Sequence, residues 1–175
     1  EKNDFIIPKI LQWSQDQREI EEWGKRKEEL YRKLGESIGI SILDGIKNFL
    51  NTLHNNKIPC VIGTSTERKN LDLAFSQLNI GHFFEGAICS DDVSKGKPNP
   101  EVFLKAAQKI KQKPEDCVVL EDSTGGIEAA KAGGMKAVGL LTTQKESELI
   151  ACGADCVIPN PKALNISLLH SLFFN

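Results

Sequence analysis

No apolar run in this chain is long enough to cross a bilayer as a helix. No GxGxxG follows an apolar run, which removes the usual dinucleotide-binding fingerprint. Charge of one sign is also scarce. The net charge is -2 and the pI is near 6.0, so there is no basic field to favour nucleic acid as a partner. The longest basic cluster, Lys25-Arg26-Lys27, runs into Glu28-Glu29 and reads as a solvated helix face. No CxxC pair occurs among Cys60, Cys89, Cys117, Cys152 and Cys156, so the spacing does not suit zinc. An odd count of cysteines, most of them inside apolar runs, fits reduced, buried thiols in a reducing intracellular compartment, the cytoplasm or an organelle such as a plastid. No secretory signal is visible, and the chain opens on Glu1 rather than Met, which leaves room for an upstream targeting segment.

What is present suffices for one domain with a core: 175 residues, of which 40% are apolar. The first forty residues are rich in Glu, Lys, Arg and Gln. They read as two helices broken at Ser14-Gln15-Asp16, the second ended by Gly35. Beyond them, helices and strands alternate. Helices are expected over 44–53, 67–78, 99–110, 125–132, 146–152 and 164–173. Strands are expected over 58–62, 86–89, 117–120, 136–140 and 156–158. The strands are short and continuously apolar, the pattern of an α/β fold whose parallel sheet is covered by helices on both faces. In such sheets ligands bind beyond the carboxyl ends of the strands.

Polar residues cluster at those ends. Gly63-Thr64-Ser65-Thr66 follows the first strand, and Glu121-Asp122-Ser123-Thr124 follows the third. Between them a loop carries Lys97 ahead of Pro98. Taken singly, each has an ordinary explanation as a helix cap, a surface acid pair or a loop lysine. Together they supply hydroxyls, an ammonium and two adjacent carboxylates. That set suits a phosphoryl group with Mg²⁺, which prefers hard oxygen ligands and takes one or two carboxylates.

Three stretches carry a family resemblance. VVLEDSTGGIEAAKAGGMKAVGL, KGKPNPEVFLKAAQKI and VIGTSTERKN resemble the fourth, third and second motifs of the haloacid dehalogenase superfamily, in particular its beta-phosphoglucomutase-like and CbbY-like phosphatases. The resemblance runs from about Lys27 to Ile158. It implies a Rossmann-like core and a Mg²⁺-dependent phosphatase or phosphomutase acting on a small phosphorylated metabolite. It also implies roles. Thr64, helped by the backbone N–H of Ser65, would bind the phosphoryl group. Lys97 would bridge the nucleophile and the phosphoryl oxygens. Asp122 would hold Mg²⁺, with Glu121 supporting the same ion. Small Ala129, Ala130 and Ala132 would let the following helix pack close to the sheet.

The first motif of that family, an apolar strand with Asp-x-Asp-Gly, has no counterpart. Ile42-Leu43-Asp44-Gly45 would place an isoleucine at the nucleophile, so Asp44-Gly45 is read as a helix start. Residues 1–37 are accordingly expected to be the last part of a helical cap, and 38–175 the α/β core without its first strand. The expected partners are the metabolite and either a preceding segment or another chain that supplies the strand; neither nucleic acid nor a membrane is expected. The alternative is a catalytically inactive binding or structural subunit, with Trp13 and Trp23 as anchors for a partner or as packing within the cap.

Overall fold

The apolar runs form parallel strands because both of their faces meet helices. The computed structural model describes residues 3–174. Its strands are β1 (Ile62–Gly63), β2 (Ala87–Ile88), β3 (Val118–Glu121), β4 (Lys136–Leu140) and β5 (Cys156–Ile158). They lie in two parallel sheets, ordered β1-β2 and β3-β4-β5. The helices are α1 (Asn3–Phe5), α2 (Gln17–Ile38), α3 (Ile46–Asn55), α4 (Arg68–Leu78), α5 (Glu101–Lys109), α6 (Thr124–Ala132), α7 (Glu146–Ala151) and α8 (Ile166–Ser171), and a π-helical turn, Ile6–Leu11, follows α1. Among the described residues no helix is long and apolar enough to cross a membrane.

β4 is the spine of the core. Neighbouring positions on a strand point to opposite faces, and here both faces are apolar. Ala137 packs with Val102, Ile127, Ala129, Ala130 and Leu149 from α5, α6 and α7. Val138 and Leu140 pack with Phe49, Leu53, Ile158 and Leu164 on the other side. A third cluster joins Leu50, Ile80 and Phe83, flanked by the stacked rings of Phe75 and Phe84.

α2 begins at Asp16, whose carboxylate accepts hydrogen bonds from the N–H groups of Arg18 and Glu19. It does not stop at Gly35, as its sequence suggests, but continues to Ile38. Gly35 is buried because α2 and α4 meet there: a Cβ at 35 would lie 3.2 Å from Leu73 Cδ2. Close approach, and not a helix end, explains this glycine. The exit is held by Gln77, which donates to the Gly35 carbonyl (2.9 Å) and accepts from the Ile40 N–H (2.7 Å). Trp13 and Trp23 stand edge to face at 5.9 Å, and both remain exposed.

Other expectations shift slightly. Pro100 caps α5 instead of lying within it. Gly45 caps α3, as expected of a helix start. Ala129 and Ala130 are fully buried under the sheet, but Ala132 is exposed at the end of α6 and plays no part in that approach. The five cysteines are free thiols; Cys89 alone is fully buried and the rest are half-buried.

α7 has only six residues, and Leu149 is its sole buried side chain. Leu149→Ala is expected to lower stability by about 2–5 kcal/mol, the usual cost of such a truncation, read from the urea unfolding midpoint.

Candidate functional site

The carboxyl ends of β1 and β3 open into one cleft of about 650 Å³. Thr64, Ser65, Lys97, Glu121 and Asp122 all line it. The opposite wall comes from the N-terminal helices through Asn3, Asp4, Lys27, Glu28 and Tyr31. All five residues singled out from the sequence are therefore brought together.

Lys97 is the most constrained of them, with only 8% of its surface exposed. Its ammonium pairs with the Glu121 carboxylate and donates to the Gly63 carbonyl at 3.3 Å. It also sits 4.5 Å from the centre of the Phe103 ring, a cation–π contact. Gly63 permits that contact, since a Cβ there would press on the same ring at 2.9 Å.

Glu121 is gripped from behind. The Ser123 hydroxyl donates to it at 2.9 Å, and the N–H groups of Asp122 and Ser123 lie at 3.2 and 3.3 Å. Ser123 also caps α6 by accepting from the Gly126 N–H. Gly126 is required here: a Cβ at that position would overlap the Glu121 carboxylate itself. Asp122 is turned into the cleft by a neighbouring strand end. Thr142, just after β4, donates to its carboxylate at 2.7 Å, and Thr143 donates to its carbonyl at 3.3 Å. Thr64 uses its hydroxyl oxygen to accept from the Thr66 N–H at 3.1 Å, which leaves the hydroxyl proton for another acceptor.

The loop bearing Lys97 is pinned by Glu101 at the start of α5. Its carboxylate accepts from the N–H groups of Ser94 and Lys95, from the Ser94 hydroxyl and from Lys105. Lys105, then those loop donors, hold the Glu101 carboxyl far below the usual carboxylate range.

Glu28 joins the cleft's two walls and is itself buried. Asn70 of α4 donates to one of its oxygens; Asn3 and Lys27 donate to the other. Arg32, one turn along, donates to the Asn70 side-chain oxygen at 2.9 Å. Burial alone would raise the Glu28 carboxyl, but the donors Lys27, Asn3 and Asn70 outweigh it and hold it below its ordinary value.

Asp44 lies elsewhere. Its side chain is 81% exposed, pairs with Lys162 at 2.7 Å and does not line the cleft. Sequence reasoning missed Gly126, Glu101, Thr142 and Glu28. A polar pair following β4, as at the other strand ends, was the available signal for Thr142. Nothing local marks the other three, because their partners are set by packing.

A divalent cation can be tested against this donor set. Among the described residues no group of three or more His, Cys, Asp or Glu side chains forms a cage. Two adjacent carboxylates with hydroxyls nearby fit the sparse, oxygen-only protein ligation of Mg²⁺. They do not fit a structural zinc centre.

Two consequences are measurable. Gly→Ala inside a helix ordinarily stabilises by up to about 1 kcal/mol. Gly126→Ala should instead destabilise by about 1–3 kcal/mol through overpacking, seen as a lower urea midpoint. The Glu28 carboxyl is depressed in the folded state, so its contribution is present above the unfolded value of about 4.3 and is lost as pH falls through the folded value. Glu28→Gln should therefore flatten the fall in melting temperature between about pH 5 and pH 3, relative to the parent protein.

The profile of haloacid dehalogenase-like hydrolases matches residues 7–140. A 5-amino-6-(5-phospho-D-ribitylamino)uracil phosphatase, chloroplastic, of Arabidopsis thaliana is 37% identical over 171 residues, 98% of this chain and 45% of that protein. The beta-phosphoglucomutase of Bacillus subtilis (strain 168) is 35% identical over 129 residues, 74% of this chain and 54% of that enzyme. The chain thus spans about half the length of these relatives. Among solved structures, a HAD hydrolase, family IA, variant 3, from Entamoeba histolytica superposes with a TM-score of 0.89 at 27% identity, covering all of this chain and 80% of that one. The chain belongs to the haloacid dehalogenase-like hydrolase family.

Proposed function

We propose that the cleft transfers a phosphoryl group from a small phosphorylated metabolite to an aspartate nucleophile carried outside this chain, as a Mg²⁺-dependent phosphatase or phosphomutase. The observation that carries this reading is the convergence of Thr64 and Ser65, Lys97, and Glu121 with Asp122 on one cleft. Lys97, screened from water, offsets negative charge that builds on the phosphoryl oxygens, and a preorganised cation in a dry site acts more strongly than in solution. Thr64 and the Ser65 N–H donate to those oxygens. Asp122 commits one carboxylate oxygen to Thr142 and offers the other to Mg²⁺. Glu121, already paired with Lys97, supports the same ion and fixes the lysine. The bound cation would supply charge neutralisation at the phosphate.

In this reading residues 1–37 form part of a cap over the substrate. The phosphatase and mutase names of the relatives support a phosphorylated small molecule as substrate. The free cysteines and the chloroplastic relative support a reducing intracellular compartment, plastids included. The proposal calls for no nucleic-acid or membrane partner.

The test separates chemistry from folding. Removing one partner of a buried ion pair costs about 3–5 kcal/mol, whereas replacing both by neutral groups is often close to neutral. In the full-length protein, Lys97→Met combined with Glu121→Gln should therefore melt close to the parent. Its Mg²⁺-dependent turnover of p-nitrophenyl phosphate should nevertheless fall by roughly 10²–10³, the scale for losing one electrostatic contact to the transition state. Retained turnover in a folded double variant would remove Lys97 and Glu121 from the mechanism. A parent protein with no turnover would favour the inactive-subunit reading.

A further inference from the structure

The cleft has two chemically different ends. The phosphoryl end holds Lys97 with Thr64 and Ser65. Beyond it the lining carries four further carboxylates, Asp4, Glu28, Glu67 and Asp91, and one further ammonium, Lys27. Among the described residues no other cationic side chain lines the cleft.

Lys27 is already committed. Its ammonium lies 2.5 Å from the Glu28 carboxylate. Glu28 is buried and is held from two other helices by Asn3 and Asn70. Burial works against its charge, but donation from Lys27, Asn3 and Asn70 outweighs burial and holds the carboxyl below its ordinary value, so it is ionised at neutral pH. The guanidinium groups on the bordering helices are occupied as well. Arg32 donates to Asn70 and pairs with Glu67 at 3.5 Å, and Arg68 donates to the Ala87 carbonyl and to Asp92. Acceptors, by contrast, are open. The Asp4 carboxylate is exposed and, like the Tyr31 hydroxyl, has no partner among the described residues. Asp91 accepts the Arg68 N–H through one oxygen at 2.7 Å.

We infer that this end of the cleft selects phosphomonoesters whose remaining part is neutral or cationic and rich in hydrogen-bond donors, and that it rejects a second phosphate or a carboxylate, with Glu28 setting the preference by neutralising Lys27. A second anion here meets carboxylates and no uncommitted ammonium, the like-charge contact by which sites exclude wrong partners. Hydroxyls and amines meet acceptors. The choice between the two reactions follows. A phosphomutase that works through a bisphosphate must seat a second phosphoryl group where the leaving group lies, whereas a phosphatase passes the group to water and needs no such seat. The chain is therefore assigned to a phosphatase. The inference rests on the phosphoryl-transfer reading and deepens it.

The test uses the full-length protein with Mg²⁺. The probes are four phosphate esters of one four-carbon chain, ending in an amine, a hydroxyl, a carboxylate or a second phosphate, with p-nitrophenyl phosphate as reference. kcat/KM for the amine and hydroxyl esters should exceed that for the carboxylate and the bisphosphate by at least about tenfold. Glu28→Gln releases Lys27 and should narrow the gap between hydroxyl ester and bisphosphate by at least about threefold; the ratio cancels any general loss of active protein. Asp4→Asn, at an exposed position, should lower the ratio of amine to hydroxyl ester by about twofold. If p-nitrophenyl phosphate is turned over, equal or better use of the bisphosphate would overturn this inference and leave the phosphoryl-transfer reading intact. Ratios that neither substitution moves would do the same. No turnover of any of the five compounds would overturn both.

Discussion

The contact between Lys97 and Glu121 is the constraint on which the site depends. A buried ammonium is tolerated only when it is paired and hydrogen-bonded. Satisfying it draws in the tip of β1 through the Gly63 carbonyl, the tip of β3 through Glu121, and α5 through the Phe103 ring. Three segments far apart in sequence are thereby gathered around one ammonium. The supporting features are secondary to that need. Gly126 gives the Glu121 carboxylate its space, Ser123 orients it, and Glu101 keeps the lysine loop in register.

Much of this was legible beforehand, and the reason is local. β4 and β5 fall where their apolar runs lie, because continuous apolarity is what a strand buried on both faces requires. Thr64, Ser65, Glu121 and Asp122 stand at strand ends, Lys97 stands on the loop between β2 and α5, and all five reach one cleft. What was hidden is what depends on a neighbour distant in sequence. Gly35 has the appearance of a helix stop, yet it is small because Leu73 passes over it. Ala132 resembles Ala129 and Ala130 in sequence but falls on the solvent side of α6. Glu28 reads as one of many helix-face charges, and only its meeting with Asn70 distinguishes it.

Strand lengths illustrate the same division. β1 was expected to span five residues and is regular over two, Ile62–Gly63. β3 and β4, which pair with each other, keep four and five. Regularity follows the ladder: a strand is only as long as the partner that hydrogen-bonds to it. The apolar run Ile58–Ile62 meets a wall of α3 and α5 side chains, and its inner edge meets an apolar cavity and not a neighbouring strand.

The Gln77 side chain, bonded to both the Gly35 carbonyl and the Ile40 N–H, gives α2 a fixed pivot. Glu28 lies ten residues up the helix from its end at Ile38, about 15 Å at 1.5 Å per residue. A tilt of about 10° at the end of α2 would swing Glu28 and Lys27 by about 2.6 Å, close to one hydrogen-bond length. The glutamine that holds the exit of α2, though not part of the cleft's lining, thus bears on the clearance beneath the wall formed by Lys27 and Glu28.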